Sequence, residues 1–500
     1  MLVQVHDTLS RTVRPLAASD GRRFRVYCCG PTVYAAAHIG NFRTFVLNDV
    51  LRRTAIVAGL PVYYVRNLTD VDDKTIAGAR AAGKPLGELT EHWIRIFHED
   101  ERALNLLPAD LEPRATEHIP EQIALIEQLL ARGLAYVAAD GSVYYRVAAF
   151  PAYGRLSGFD PEELRSQQAN SAGQVNNADE YERETVADFA LWKAWKAEDG
   201  EVAWDSPWGR GRPGWHLECS AMSLKHLGNG IDLHTGGVDL CFPHHENEIA
   251  QSEGATGEPF CHHWWHTTHL LVDGKKMSKS LGNFHTVRDL LAAGHPPAAL
   301  RYALIAAHYR QQLNFTIKGI EDAGKALDKL RKLVRELRVA AAEPAHGPGL
   351  WEQLSAAPGA AADTAAAAQR QVIWAEAGTG GRFAAAWEAL ADDLNTPGAL
   401  GALFTAARGP AGDPASARRD LIGLHQVLWA LGLDRWLCEE PASEAAAPEI
   451  PDDIRALAEQ RWAARLGKDF AASDRLRNEL SAHGWTVKDR KDGYDLAMST

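Results

Sequence analysis

Three side chains in one stretch of the chain, GWHLECSAMSLKHLGNGIDLHTGGVDLCFPHHENE at residues 214 to 248, have the types and spacing to hold a metal ion. Cys219 opens an apparent helix, CSAMSLKHLG. His244 and Glu248 stand four residues apart in FPHHENEIA, which reads as a helix beginning just after Pro243 and so places both on one face. A thiolate, an imidazole and a carboxylate suit a borderline-soft tetrahedral ion such as zinc, and they need one more ligand. Cys29 is the candidate for that place, with Cys241, three residues before His244, as its rival. The plainer reading of the same residues is a buried thiol and a polar, solvated helix start.

The elements that must position these groups are strands ending in loops. RRFRVYCCG reads as a buried strand closed by Gly30-Pro31. Cys28 and Cys29 then face opposite ways, one into the packing and the other toward the carboxyl end of the strand, where open α/β sheets bind ligands. His38-Ile39-Gly40-Asn41 follows at the start of a helical pattern through Phe45, Val46, Val50 and Leu51. Amide groups and the helix dipole favour phosphate there, and Gly40 permits close approach to the main chain. PVYYVRNLTD repeats the arrangement and brings Thr69 and Asp70 to the same rim, with Asp72 and Asp73 in the first turn of the next helix. Further on, HLLV reads as a strand. Gly274 and Lys275 begin a mobile cationic loop, KKMSKS, whose Lys276 and Lys279 suit charge developing on polyphosphate.

The rest of the chain bounds these readings. At 500 residues, 46% hydrophobic and with a formal net charge of −12, it has core enough for several domains and lacks the global positive excess of a general nucleic-acid binder. Six cysteines without a CxxC pair argue against a disulfide scaffold. The start lacks a leader pattern and no stretch reads as a membrane span, so a cytoplasmic protein is expected. YVAADGSVYYRV looks like a hairpin around Asp140-Gly141, followed by the polar run SQQANSAGQVNNADEYERE; residues 134–200 read as an insertion between two halves of a nucleotide-binding sheet. Beyond Asn283 the pattern is helical. Residues 318–338 hold seven lysines and arginines against four acids, a surface for a phosphate backbone or simply a solvated face. Residues 340–382 are rich in Ala, Gly and Pro and read partly as a loose connection. After the linker EEPASEAAAPEIP, residues from about 450 read as two helices and a short hairpin.

HIGN before the insertion, KMSKS after it and the Cys-His-Glu cluster between them resemble the class I aminoacyl-tRNA synthetases, and among these the cysteinyl-tRNA synthetase family. CCGPTVY, HIGNFRTF, RNLTDVDDK, GWHLECSAMS, FPHHENEIAQSE, KMSKSLGNF, HYRQQLNF, DDLNTP and KDFAASDRLRNEL extend the resemblance from near residue 25 to near 480. Asn41 stands where the family's first signature often has His. The resemblance implies an α/β fold: a Rossmann-type parallel-sheet catalytic domain (1–133 and 201–285) split by an insertion (134–200), an α-helical tRNA-binding bundle (286–440) and a small mixed α/β C-terminal domain (450–500). It implies ATP, used with magnesium, L-cysteine and cysteine tRNA as substrates, and a monomer rather than a dimer. His38 would contact the phosphates, beside Gly40 and Asn41, with Lys276 and Lys279 on the α-phosphate and pyrophosphate. Thr32, Thr69 and Trp215 would shape the amino-acid pocket. One zinc per chain would sit on Cys29, Cys219, His244 and Glu248. Two rival readings remain: a related ligase joining cysteine to an amino-sugar, and, of another class, a catalytically silent, zinc-containing RNA-binding or regulatory protein.

Overall fold

The computed structural model describes residues 2–158, 188–278, 281–343, 349–355, 364–378, 380–410, 412–438, 451–467, 469–490 and 493–498. The polar run SQQANSAGQVNNADEYERE and Lys279 lie outside them. Among the described residues no helix is long and apolar enough to cross a membrane.

Four parallel strands make the central sheet, in the order Trp264–Thr267, Leu233–Gly237, Phe24–Cys28, Val62–Arg66. Parallel neighbours need a crossover, and the helix Ile39–Val57 supplies it between the strands Phe24–Cys28 and Val62–Arg66. Alternation along the first strand divides its side chains as expected: Val26 and Cys28 join the large core shared with Val46 and Val50 of that helix, whereas Tyr27 and Cys29 join a second core with Cys219 and Ile249. Gly30 follows. A Cβ there would meet the Asn67 carbonyl oxygen at 1.7 Å, so only glycine lets the ends of the two strands approach this closely.

The expected hairpin about Asp140-Gly141 is present as Ala135–Val137 and Val143–Tyr145, and it belongs to a four-stranded antiparallel sheet completed by Phe189–Ala194 and Gly211–Pro213. That sheet packs its own core with the helix Ile119–Ala131. The segment expected to be a cationic loop from Gly274 differs from expectation. Asp273 and Gly274 have φ of 49° and 75°, the twist of a tight hairpin turn, and Lys275–Lys276 pairs antiparallel with Leu271 and Val272.

Helices Pro297–Leu304, Ile317–Ala340, Ala384–Ala391, Thr396–Ala406 and Pro414–Ala430 share the larger core with the sheet. A buried ionic knot joins the two regions. Asp49 of the crossover helix takes Arg53 at 2.8 Å and Arg301 at 2.5 Å, and these guanidiniums also donate to the carbonyls of Trp429 and Leu431 at the end of the helix Pro414–Ala430. In the Ala-rich stretch, where a loose connection is expected, the described part instead forms the helices Leu350–Ser355 and Thr364–Ala377, anchored by buried Trp351, Leu354 and Trp374. On the basic helix, Lys318 and Lys325 pair with Asp322, Arg331 with Asp328, Lys332 with Glu336 and Arg338 with Glu343 and Glu352. Much of its positive charge is thus answered locally.

Residues 1–438 form one compact unit and 439–500 another. The second consists of the helices Asp452–Leu466 and Phe470–Ala482 and the hairpin Trp485–Arg490 with Gly493–Met498, around Ile454, Ala458, Leu480 and Trp485.

Candidate active site and metal centre

Cys29 stands one residue past its strand and is held there by its N–H on the Thr235 carbonyl, at 3.2 Å. Cys219 comes from the helix Trp215–Leu227. His244 lies in a π-type turn, Cys241–His245, that runs into the helix Glu246–Thr256, where the sequence predicts a regular helix straight after Pro243. The shift leaves the pair in register, with His244 Nε2 3.1 Å from Glu248 Oε1. That second helix is polar yet almost wholly buried, so nearly every polar residue needs a task. Glu246 accepts the N–H groups of Gly154, Leu156 and Ser157, Asn247 accepts the Tyr153 hydroxyl, Gln251 accepts the Ser220 hydroxyl, and Glu248 faces the cysteines.

The donor atoms of Cys29, Cys219, His244 and Glu248 lie within 4.8 Å of one another, and all four residues are buried. Around a tetrahedral zinc with bonds of about 2.3 Å to sulfur and 2.0–2.1 Å to nitrogen or oxygen, adjacent donors stand about 3.8 Å apart (S to S), 3.5 Å (S to O) and 3.4 Å (N to O). The corresponding separations here are 3.8 Å for Cys29 to Cys219, 3.4 Å for Cys29 to Glu248 and 3.1 Å for His244 to Glu248. The residues therefore fit the ion. Cys241 is half-buried, joins neither donor group that includes Cys29, and burial pushes its thiol up to about 11.

Four further histidines surround the cluster, and sequence reasoning missed them. His234 Nε2 lies 2.9 Å from the second oxygen of Glu248; His216 Nδ1 lies 2.8 Å from His244 Nδ1, leaving Nε2 of His244 toward Glu248. Such outer partners set ring orientation and tautomer. His245 touches Cys29 Sγ at 3.3 Å through Nε2 and continues through Nδ1 to His266, 2.8 Å away, and on to the Thr8 hydroxyl. Cys29, His234, His245 and Glu248 make a second set of donors within the same limit, so Cys29 and Glu248 are common to both. The doubled His in HHENE was the one hint available; His234 and His266 come from separate strands with no spacing to betray them.

The electrostatics divide the four donors, favouring the anionic forms of Glu248 and Cys219 and the protonated forms of Cys29 and His244. Burial would push the Glu248 carboxyl up, but His234 and His244 hold it down at about 2. The hydrogen bond from Cys29 draws Cys219 down to about 6 against burial, while burial pushes Cys29 itself up. Burial disfavours a charged His244, yet Cys219 and Glu248 draw it up to about 10. Trp215 is partly exposed at the first turn of its helix, with its ring 4.4 Å from that of His244.

The nucleotide signatures meet at the same rim. His38 caps the helix Ile39–Val57: its Nδ1 accepts the Asn41 N–H, and the Asn41 side chain accepts the His38 N–H. Asn41 is thus spent on starting the helix. With Nδ1 accepting, the proton of a neutral His38 ring sits on Nε2, and burial lowers its pKa so that it stays neutral. A Cβ on Gly40 would stand 3.0 Å from the His38 ring and 3.3 Å from Met277 Cε, which brings KMSKS against HIGN. Ile39 N–H donates to the His285 carbonyl, and the His38 ring meets Phe284 edge-on. Buried Arg43 fixes the arrangement by donating to the carbonyls of Thr268, His269, His308 and Gln311. Lys276 ends its short strand exposed, and its carbonyl accepts the Asn283 side chain. Thr32 and Thr69 form a parallel bridge that extends the two central strands. Asp70 accepts the Thr116 N–H and hydroxyl, and Asp72 caps the next helix.

Comparison with known proteins agrees with this arrangement. The family description "tRNA synthetases class I (C) catalytic domain" matches residues 15–325, and "Cysteinyl-tRNA ligase anticodon binding domain" matches residues 447–494. The cysteine–tRNA ligase of Opitutus terrae is 52% identical over 500 residues, covering 99% of each chain. That of Chlamydia caviae is 42% identical over 491 residues, covering 98% of this chain and 96% of its own. Among solved structures, Mycobacterium tuberculosis methionyl-tRNA synthetase in complex with methionyl-adenylate superposes with a TM-score of 0.51 at 17% identity, covering 83% of this chain and 91% of that one, and shares the fold. With its parallel sheet split by an insertion, its two signatures in contact and relatives matching from end to end, the chain belongs to the cysteinyl-tRNA synthetase family of class I aminoacyl-tRNA synthetases.

Proposed function

We propose that this chain joins L-cysteine to cysteine tRNA in two steps, forming cysteinyl-adenylate and pyrophosphate from ATP and then passing the acyl group to the terminal ribose. The observation that carries the reading is the meeting, at one sheet rim, of a buried Cys-Cys-His-Glu donor set with both nucleotide signatures. Cysteine and serine differ by one atom, and an apolar pocket separates such near-isosteres by only about a hundredfold. A zinc ion on Cys29, Cys219, His244 and Glu248 supplies a soft acceptor for cysteine's thiolate that serine's harder oxygen meets poorly. Trp215, Thr32 and Thr69 bound the pocket beside it. His38 donates through Nε2 to the phosphates of ATP, which arrives with magnesium, at the dipole end of its helix beside Gly40 and Asn41. Lys276 and Lys279 neutralise charge moving onto the α-phosphate and pyrophosphate. Positioning and charge stabilisation do most of this work, as in phosphoryl transfer generally.

The helical region from about 286 to 440 and the small domain from about 450 then hold the tRNA, with residues 134–200 inserted between the catalytic halves at 1–133 and 201–285, and a monomer suffices. Cysteine-dependent exchange of pyrophosphate into ATP, followed by aminoacylation of purified tRNA, tests the reading. We expect both, with one equivalent of zinc that Cys219→Ala removes. Exchange without charging of tRNA would favour an amino-sugar ligase; absence of exchange would refute the proposal.

A further inference from the structure

Glu218 precedes Cys219 on the helix Trp215–Leu227 and is fully buried, and neither of its carboxylate oxygens has a hydrogen-bond partner among the described residues. Its acidic neighbours are differently placed. Asp70 is satisfied by Thr116, Asp72 by the amides of the helix it caps, and Asp73 by Lys193 and Arg212. Burial, and then the charges of Cys219, Asp72 and Asp70, push its carboxyl well above the ordinary range, while the Thr69 hydroxyl acts to lower it. A buried carboxylate facing further negative charge is costly unless a cation and its hydrogen bonds complete it. An ammonium group does so with three donors.

The site described above is one where such a cation arrives with the substrate. In cysteine the α-ammonium nitrogen is three bonds from the sulfur, and the metal ligand Cys219 is the next residue after Glu218. Thr69, bridged to Thr32 at the sheet rim, is the hydroxyl that acts on the same carboxyl. We propose that Glu218, with the Thr69 hydroxyl, is the counter-ion of the substrate's α-ammonium group, so that the pocket selects an α-amino thiol rather than any thiol. This rests on the reading of the cluster as the thiol-binding site. It adds a second point of recognition: the donor set tells cysteine from serine, and Glu218 tells cysteine from thiols without the amino group.

The test is calorimetric titration of the zinc-loaded full chain with L-cysteine and with 3-mercaptopropionate, which is cysteine without its amino group. Charge-assisted hydrogen bonds of this kind correspond to a preference of about 10- to 150-fold for cysteine in the unmodified chain. Glu218→Gln keeps the shape and should bring the two affinities within a few-fold, by weakening cysteine alone; Glu218→Asp should keep much of the preference. Preference unchanged in Glu218→Gln would overturn the assignment, as would an unmodified chain that binds the two thiols equally, which needs no variant to fold. Failure of the unmodified chain to bind either thiol would instead strike at the thiol-site reading itself.

Discussion

Replacing Asp49 by Asn should be among the most damaging single changes outside the active site. Its carboxylate accepts the Leu107 N–H at 2.9 Å, Arg53 Nε at 2.8 Å and the Arg301 guanidinium at 2.5 Å, and the Arg301 side chain has no exposure. The two guanidiniums lower the Asp49 pKa against the effect of burial, so the group is charged in the folded chain. Asn keeps the Leu107 bond and the volume but leaves two buried cations without their shared anion. Breaking a buried pair in this way costs about 3–5 kcal/mol, a large part of the roughly 5–15 kcal/mol typical of a folded domain. Urea unfolding followed by tryptophan fluorescence measures it, since Trp429 and Trp436 lie in the core that the knot pins. Arg301→Met made alone should also destabilise, but the double variant should fall short of the sum of the two losses by about 0.5–3 kcal/mol. A loss under about 1 kcal/mol for Asp49→Asn, or simple additivity, would refute the idea that the knot acts as a unit.

Three further outcomes are expected. Burial would raise the Glu112 carboxyl, but His98 and then Arg66 hold it at about 2; a depressed carboxylate contributes stability above its unfolded value of about 4.3 and loses it as pH falls toward the folded one. Glu112→Gln should therefore cost at most about 3 kcal/mol at neutral pH and almost nothing near pH 2, as acid-unfolding curves will show. Lys279→Ala should slow adenylate formation by about two orders of magnitude while cysteine affinity holds, the usual scale for one preorganised transition-state interaction; an unchanged single-turnover rate would contradict this. Removing residues 439–500, a compact unit by themselves, should leave pyrophosphate exchange intact and weaken tRNA binding, with a log–log salt slope shallower by about 0.7–0.9 for each phosphate the chain no longer neutralises. Equal charging at subsaturating tRNA would show that the unit does not hold tRNA.

What could be read in advance depended on whether chemistry lay along one element or between several. His244 and Glu248 were legible because a four-residue step puts two side chains on one face, and the pair survived even though the helix begins with a π-type turn. Cys29 was legible from strand alternation, and the hairpin at Asp140-Gly141 from its turn residues. The histidines behind the ligands were not, because only the packing of the turn Cys241–His245 and the helix Glu246–Thr256 against the sheet sets His234 beside Glu248 and His266 beside His245. The same holds for Asp49 and Arg53, whose four-residue spacing reads as a surface ion pair until Arg301 and the bundle close over it. Lys275 and Lys276 misled in the other direction: cationic residues beside a glycine suggested a loop, but backbone pairing with Leu271 and Val272 prevailed.

Arg43 has a consequence for which parts of this chain are free to change. Its guanidinium grips the main-chain oxygens of Thr268, His269, His308 and Gln311. It therefore recognises the path of the backbone and is largely indifferent to the side chains that path carries. The exposed His269 and Gln311 can drift in sequence beneath it, provided the two loops keep their curvature, whereas the Thr268 hydroxyl and buried Tyr309 have bonds of their own to keep. Arg43 has no such freedom, because lysine offers a single point of donation where a planar fork spans four carbonyls. A substitution at Arg43 would loosen the HIGN helix from the two loops it grips, one of which leads into the strand Leu270–Val272 that pairs with Lys275–Lys276, and a change of side chain on those loops would not replace four bonds to main-chain oxygens.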